Sequence, residues 1–401
     1  MERMLITKSF DAFTKAVKSL HGELSATPER LVKEMFSRLD KVDWKNPDLK
    51  ILDPAAGFGT FLREAYIRLK EFHSEEHILN NMLYACEING FKTLFLERKM
   101  GLRNIYKGDF LTMKLPEGWP KKFSIGLSNP PYGDKTDTTL QMRFLYECIN
   151  ICEDRIVFVH PSTHFLSPRD LLSKTNVTTK IIESLEFFNG NSIFDINKYY
   201  YLSITSIDLK KESEEFEYKF RETGESGSST EFNKITHLGC SEELLNLRKK
   251  YKAWTGEFNM NKNLSVRKGG KKPNIGKYIV PISGTRGHVN REGRIHKEDY
   301  FTPVSKDTRV SRFEEGSEVP YHWFEFETER EAINFLSFLK TDFLRMGYAF
   351  YKFNNANNGC FKLIPNIDFT QEWTDKKLYK KFGVAKKEQE LIKEIIPPYY
   401  D

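Results

Sequence analysis

Four consecutive residues, Asn129-Pro130-Pro131-Tyr132, carry the strongest chemical signal in the chain. They follow an apolar run, Phe123 to Leu127, that reads as a β-strand. Two prolines in a row remove two backbone donors and fix two φ angles. They also bias Asn129 toward an extended backbone. The result is a stiff loop that holds one side-chain amide, two carbonyls and one aromatic ring in fixed relation. Such a set suits the grip of a flat group that carries an NH2.

Three further stretches could build a ligand site with it. Asp53-Pro-Ala-Ala-Gly57-Phe-Gly59 lies between a short apolar run and a helical pattern. Glycines in such a turn let a ligand approach the backbone closely. The turn lacks the full G-x-G-x-x-G spacing of dinucleotide sites, and no G-x-x-x-x-G-K-S/T occurs. Glu87 ends the next apolar run and is placed to accept two ribose hydroxyls. Asp109 follows a third run and could accept a hydrogen bond from an adenine amino group. Each residue alone has an ordinary structural role in many α/β proteins. Their order is the stronger signal, because all fall at the carboxyl ends of successive expected strands, where open α/β sheets bind ligands.

The elements that must position them read as follows. The spacing of Leu31, Met35, Phe36 and Leu39 predicts a helix after Thr27-Pro28-Glu29, with Thr27 as N-cap and Pro28 first in the helix. Strands are expected at Lys50–Leu52, Met82–Cys86, Asn104–Lys107, Phe123–Leu127, Arg155–Val159, Ser184–Phe188 and Tyr200–Leu209. Helices are expected at Thr60–Phe72 and Leu140–Cys152. This alternation predicts an α/β catalytic domain over residues 1–210. Residues 211–230, charged and Gly/Ser-rich, read as a linker. Residues 231–401 then form a second domain, irregular until about 323, with helices at Glu329–Met346, Asp375–Phe382 and Lys386–Ile396. Within it, residues 262–297 hold ten Lys/Arg against one acid, Glu292.

Composition narrows the classes. The chain has 401 residues, enough for two cores, with 39% hydrophobic residues and a formal charge of +6. No apolar run is long enough to span a bilayer, and Met1 to Lys8 shows no signal-peptide pattern. Five scattered cysteines suggest free thiols in a reducing compartment, so a cytoplasmic protein is expected. No metal site is expected. Cys148 and Cys152 lack a partner pair, and Pro161 breaks the helical spacing of His160 and His164. His160-Pro-Ser-Thr reads instead as a rim of the site.

With Asn129-Pro-Pro-Tyr132 placed behind these elements, the chain resembles the gamma group of S-adenosylmethionine-dependent, adenine-specific DNA methyltransferases. Residues 20–210 carry the resemblance, and Asn334–Lys340 and Trp373–Gly383 are similar to C-terminal segments of the group. The resemblance implies a Rossmann-like methyltransferase domain, a mixed seven-stranded sheet with helices on both faces, plus a smaller α+β DNA-recognition domain. It implies that Thr27 and its helix hold the methionine carboxylate, although the usual Gly-Gln-aromatic-aromatic-Thr-Pro is here Gly22-Glu-Leu-Ser-Ala-Thr-Pro28. Asp53, Ala55 and Gly57 would line the methionine end. Glu87 would take the ribose, Asp109 the adenine amino group, and Phe110 would lie beside the ring. Glu87 stands farther from Asp53 than is usual, so an extended helix or loop near His73 to Asn81 is implied. Asn129 and the Pro130 carbonyl would bind the amino group of a flipped adenine, Tyr132 would stack on it, and Phe194 would close its other face, with Tyr199 and Tyr200 as rivals. Lys268, Lys271 and Lys272 would meet phosphates, while Arg286 or Arg291 would read bases. The expected partners are double-stranded DNA and a cognate restriction endonuclease, with the chain acting as a monomer. The same clamp also suits cytosine N4, adenine in RNA or glutamine in protein. A non-catalytic DNA-binding module on this fold is the remaining alternative.

Overall fold

A computed structural model describes residues 27–133, 139–162, 165, 177–190, 193–194, 201–221, 224–232, 235, 242–255, 264–266, 272–282, 301–304, 307–320, 322–351, 364–365 and 367–398. Packing divides the chain into two compact units. The first comprises Met1–Asn197, Leu202–Tyr218 and Ser228–Phe232, and the second Lys198–Tyr201, Lys219–Gly227 and Asn233–Asp401.

The first unit is built on β-α-β alternation. Its elements are α1 (Glu29–Phe36), β1 (Ile51–Asp53), α2 (Thr60–Leu69), β2 (Leu83–Glu87), α3 (Gly90–Met100), β3 (Asn104–Lys107), β4 (Phe123–Ser128), α4 (Leu140–Ile151), β5 (Cys152–Pro161), β6 (Ile182–Asn189) and β7 (Tyr201–Asp208), followed by β8 (Phe216–Phe220) and β9 (Ser226–Ser229), each of which has residues in both units. One sheet joins the strands in the order β3-β2-β1-β4-β5-β7-β6-β8-β9. The pairs β1–β2, β2–β3, β1–β4 and β4–β5 are parallel, and β5–β7 is antiparallel. Every residue of β1 and β2 is buried, as expected for parallel strands covered on both faces. The α/β class and the mixed sheet are therefore those expected, with two strands more than seven. The order places the carboxyl ends of β3, β2, β1 and β4 side by side.

Local chemistry explains the turns. Gly59 caps α2 with φ near 75°, a conformation L side chains rarely adopt. A Cβ there would also lie 2.4 Å from Met100 Sδ and 2.7 Å from Leu96 Cδ2 of α3. Asn89 caps α3 by accepting from the Phe91 and Lys92 amides. The segment implied near His73 to Asn81 is a pair of short helical turns, Glu75–His77 and Ile78–Met82.

Two expectations change here. The stretch read as a linker contains β8 and β9, closed by a turn in which Gly224 N donates to Phe220 O. Phe216, Tyr218 and Phe220 are buried and alternate with exposed Glu217 and Lys219, a period-two strand pattern masked by flanking charge. The helix at the N-terminus starts one residue later than expected. Pro28 holds the cap position with no side-chain cap bond, which leaves the Thr27 hydroxyl available.

The second unit combines helices with a four-stranded antiparallel sheet. Its elements are α5 (Glu242–Thr255), β10 (Leu264–Val266), β11 (Tyr278–Ile282), β12 (Ser311–Arg312), β13 (His322–Phe326), α6 (Glu329–Leu339), α7 (Asp342–Tyr351), α8 (Asp375–Phe382) and α9 (Lys386–Ile395), with strand order β10-β13-β11-β12. The region expected to be irregular thus contains a helix, three of the strands and the start of the fourth. Aromatics dominate the core, for example Phe324 against Phe335 at 4.6 Å between ring centres. The helix expected over Glu329–Met346 is two. Thr341 Oγ1 donates to Phe338 O and accepts from Leu344 N, while Asp375 accepts from the Asp342 and Phe343 amides. These bonds end one helix and cap the next.

Replacing Gly59 with alanine should lower stability by about 1–3 kcal/mol, because strained backbone and a steric clash coincide. Urea denaturation of the two proteins measures the difference.

Candidate active site

The site starts from a carboxylate with no access to solvent. Asp53, the last residue of β1, is fully buried. Its Oδ1 accepts from the Ala55 amide at 3.1 Å and the Ser128 hydroxyl at 3.2 Å. Ser128 ends β4 and immediately precedes Asn129. One oxygen therefore ties the glycine loop to the strand that delivers the tetrapeptide. The other oxygen, Oδ2, is buried with no partner. Burial pushes the Asp53 carboxyl from its ordinary range up to about 7.

The next carboxylate fixes the loop from the other side. Glu87, at the end of β2, accepts from Gly57 N through Oε2 and from Asn89 N through Oε1, both at 2.8 Å. Gly57 has φ near 56° and open space where a Cβ would stand. Each carboxylate oxygen keeps a further lone pair for a ligand hydroxyl. Asp109 caps the short helix Phe110–Thr112 through Oδ1, accepting from Leu111 N at 3.0 Å.

These groups surround a cavity of about 520 Å³. Thr27, Ala55, Gly57, Glu87, Asp109, Phe110, Asn129 and Pro131 line it, so eight of the expected site residues are brought together. Pro130 is buried behind them and Tyr132 is half-buried. Asp53 is not part of the lining, and it acts from behind by holding Ala55 and Ser128. Phe194, 6% exposed, is also absent from the lining. Its amide bonds to Gly190 O, which holds the ring's backbone in a turn. His160 forms no rim. It is fully buried, with Nε2 3.0 Å from Thr205 Oγ1 on the adjacent strand β7. Lys272 is exposed, whereas His164, Tyr199, Tyr200, Lys268, Lys271, Arg286 and Arg291 lie outside the described residues.

The tetrapeptide is oriented from both ends. Asn129 Nδ2 donates to Thr27 Oγ1 at 3.2 Å, so the hydroxyl expected to cap α1 instead fixes the amide. Asn129 Oδ1 is buried with no partner. Beyond Tyr132, Gly133 N donates to Gln141 Oε1 in the first turn of α4. A fixed, desolvated acceptor at a cavity wall is costly unless a donor arrives to satisfy it.

Among the lining residues that sequence reasoning missed are Ile88, Lys92, Arg143 and Phe144. Ile88 is 75% exposed although strongly apolar. Its position directly after a strand-end acid was the available signal. Phe144 stacks on Phe110 with centres 5.5 Å apart, and nothing in its helical pattern distinguished it from core.

Residues 9–159 match the family described as N-6 DNA Methylase. The resemblance read in the sequence is thus borne out over the part of the first unit that carries the site. An uncharacterised adenine-specific methylase of Mycoplasma pneumoniae is 32% identical over 83 residues, 18% of this chain and 19% of that protein. Among solved structures, the modification subunit of a putative type I restriction enzyme from Vibrio vulnificus is 17% identical, with a TM-score of 0.42 over 53% of this chain and 50% of that one. The type I restriction-modification methyltransferase subunit from Streptococcus thermophilus is 14% identical, with a TM-score of 0.39 over 49% and 47%. The chain therefore spans about half the length of these solved chains and a fifth of the curated relative. No described helix is long and apolar enough to cross a membrane.

The raised Asp53 pKa has a pH signature. The folded protein holds this proton up to about pH 7, whereas the unfolded chain releases it near 3.8. The contribution to stability is full below about pH 4 and is lost as pH rises toward 7 and beyond. Asp53→Asn should remove this dependence. Urea midpoints at pH 5 and pH 8 should therefore differ less in the variant than in the wild-type protein.

Proposed function

We propose that this chain transfers a methyl group from S-adenosylmethionine to the N6 amino group of an adenine flipped out of double-stranded DNA. The buried, unpartnered Asn129 Oδ1 carries the reading. With its NH2 bonded to Thr27, the amide presents its unpartnered oxygen as acceptor. An adenine amino group is a poor nucleophile, because its lone pair is delocalised into the ring. Asn129 Oδ1 and the Pro130 carbonyl accept its two hydrogens, draw the nitrogen toward a tetrahedral geometry and expose the lone pair. Positioning and fixed dipoles then supply the catalysis without a strong base, and the surplus proton on N6 is lost to solvent once the methyl is transferred. Tyr132 stacks on the flipped base and offsets roughly 1–3 kcal/mol of the cost of extrusion.

The residues present fit the cofactor. Glu87 accepts ribose hydroxyls and Asp109 takes the adenine amino group. Ile88 and Phe110 offer apolar surface to the ring. Thr27, the α1 N-terminus, Ala55 and Gly57 lie at the methionine end. When bound, S-adenosylmethionine supplies an electrophilic sulfonium methyl with an excellent leaving group. The partners proposed are duplex DNA, contacted by Lys268, Lys271, Lys272, Arg286 and Arg291, and a cognate restriction endonuclease. The modification subunits to which the chain is similar support a restriction-modification role.

Asn129→Ala should still bind S-adenosylmethionine in calorimetry yet lose methyl transfer to duplex DNA by roughly 100-fold or more. Near-normal turnover would sink the mechanism. Tyr132→Ala should weaken base capture, seen as a smaller rise in 2-aminopurine fluorescence at the target position. An unchanged signal would remove Tyr132 as the stacking ring.

A further inference from the structure

The second unit carries a cationic surface of its own. Residues 376–387 contain six lysines and no acid: Lys376, Lys377, Lys380, Lys381, Lys386 and Lys387. All six are exposed. They occupy the solvent face of α8 and the first turn of α9, joined by a three-residue turn at Gly383, whose φ is 63°. The opposite face of α8 is anchored, with Leu378 fully buried and Tyr379 largely so.

This pattern departs from the rest of the molecule. Exposed helices of the first unit pair opposite charges one turn apart, as in Glu29–Lys33, Arg30–Glu34 and Glu64–Arg68. On α8 the one-turn pairs are Lys376 with Lys380 and Lys377 with Lys381, which repel and work against the helix. Lys377 bonds the Glu372 carbonyl, Lys381 lies over the Trp373 ring and Lys387 reaches Glu243. Among the described residues, Lys376, Lys380 and Lys386 have no partner. A self-repelling face on a well-anchored helix is matched by a polyanion. The rise of one turn, about 5.4 Å, is of the order of the spacing between phosphates along a strand.

We propose that the α8 face and the start of α9 bind the phosphate backbone of duplex DNA. The inference rests on the DNA-methylating reading and assigns it a contact surface outside the basic stretch 262–297. The exposed face of α9 beyond its first turn mixes Glu390 and Glu394 with Lys393, so the cationic surface ends at that turn.

The test is the salt dependence of duplex binding by the full chain. In the Lys376→Gln/Lys380→Gln/Lys386→Gln variant, the slope of log affinity against log salt should shrink by roughly 2–3 units, about 0.9 for each phosphate that is no longer neutralised. Lys41→Gln, which removes a lysine already paired with Glu183, should leave the slope unchanged. Should the triple variant melt early, Lys380→Gln alone should reduce the slope by about one unit. An unchanged slope overturns the surface. Methyl transfer to the same duplex, measured in parallel, separates the two readings. Transfer by the wild-type protein with an unchanged variant slope overturns the surface alone. A reduced slope without wild-type transfer keeps the surface and overturns the enzymatic reading.

Discussion

Asp53 occupies a position from which both arms of the site are held. Its Oδ1 is shared by an amide of the glycine loop and a hydroxyl on the strand that ends at Asn129. Parallel pairing of β1 with β2 and β4 brings these segments together, and the carboxyl then sets their relative position. Glu87 completes the frame by gripping Gly57 from the neighbouring strand. The loop is therefore held between two acids, and its backbone cannot drift without breaking buried hydrogen bonds. Such bonds are expensive to leave unmade in a dry interior. The preorganisation that the chemistry requires thus comes from the sheet edge itself.

Much of this was legible in the sequence, for a physical reason. Strands buried on both faces read as short apolar runs, and their carboxyl ends are where ligands bind. Glu87, Asp109 and Asn129 could be placed by that rule alone. Residues whose role depends on a distant partner were less legible. The spacing around Thr27 suggested a helix cap, and only the fold reveals that its hydroxyl meets Asn129, 102 residues away. Asp53 looked like a wall residue because strand-end acids usually are. His160 looked like a rim residue because it ends a strand, yet the antiparallel partner β7 closes over it. Phe194 drew attention as an aromatic near a strand, and burial draws the same residue type inward.

The second unit was harder to read because its signals are short. The buried residues of β11 and β13 lie between charged, glycine-rich stretches, and β12 is only two residues long. The break between α6 and α7 is invisible to hydrophobic periodicity. It depends on Thr341 and on Asp375, which lies 32 and 33 residues from the amides it accepts. Close packing adds a constraint of the same kind. A Cβ at Gly347 would stand 2.9 Å from the Tyr251 ring, so α7 and α5 approach only because glycine occupies the crossing. Tyr251 then donates its hydroxyl to Phe343 O at 2.7 Å.

The bond between Asn129 and Thr27 has a consequence for selectivity. An amide can usually rotate to present either its donor or its acceptor. Here the NH2 is tied to Thr27, and the oxygen is the end left without a partner. The neighbouring Pro130 carbonyl is an acceptor as well. A base edge bearing an exocyclic oxygen, as in thymine or guanine, would set lone pair against lone pair and leave buried acceptors unsatisfied. Sites built on polar complementarity reject such mismatches far more strongly than sites built on shape. In the proposed reaction, a single hydroxyl contributed from outside the tetrapeptide would thus turn a flexible side chain into a filter that tells amino groups from keto groups.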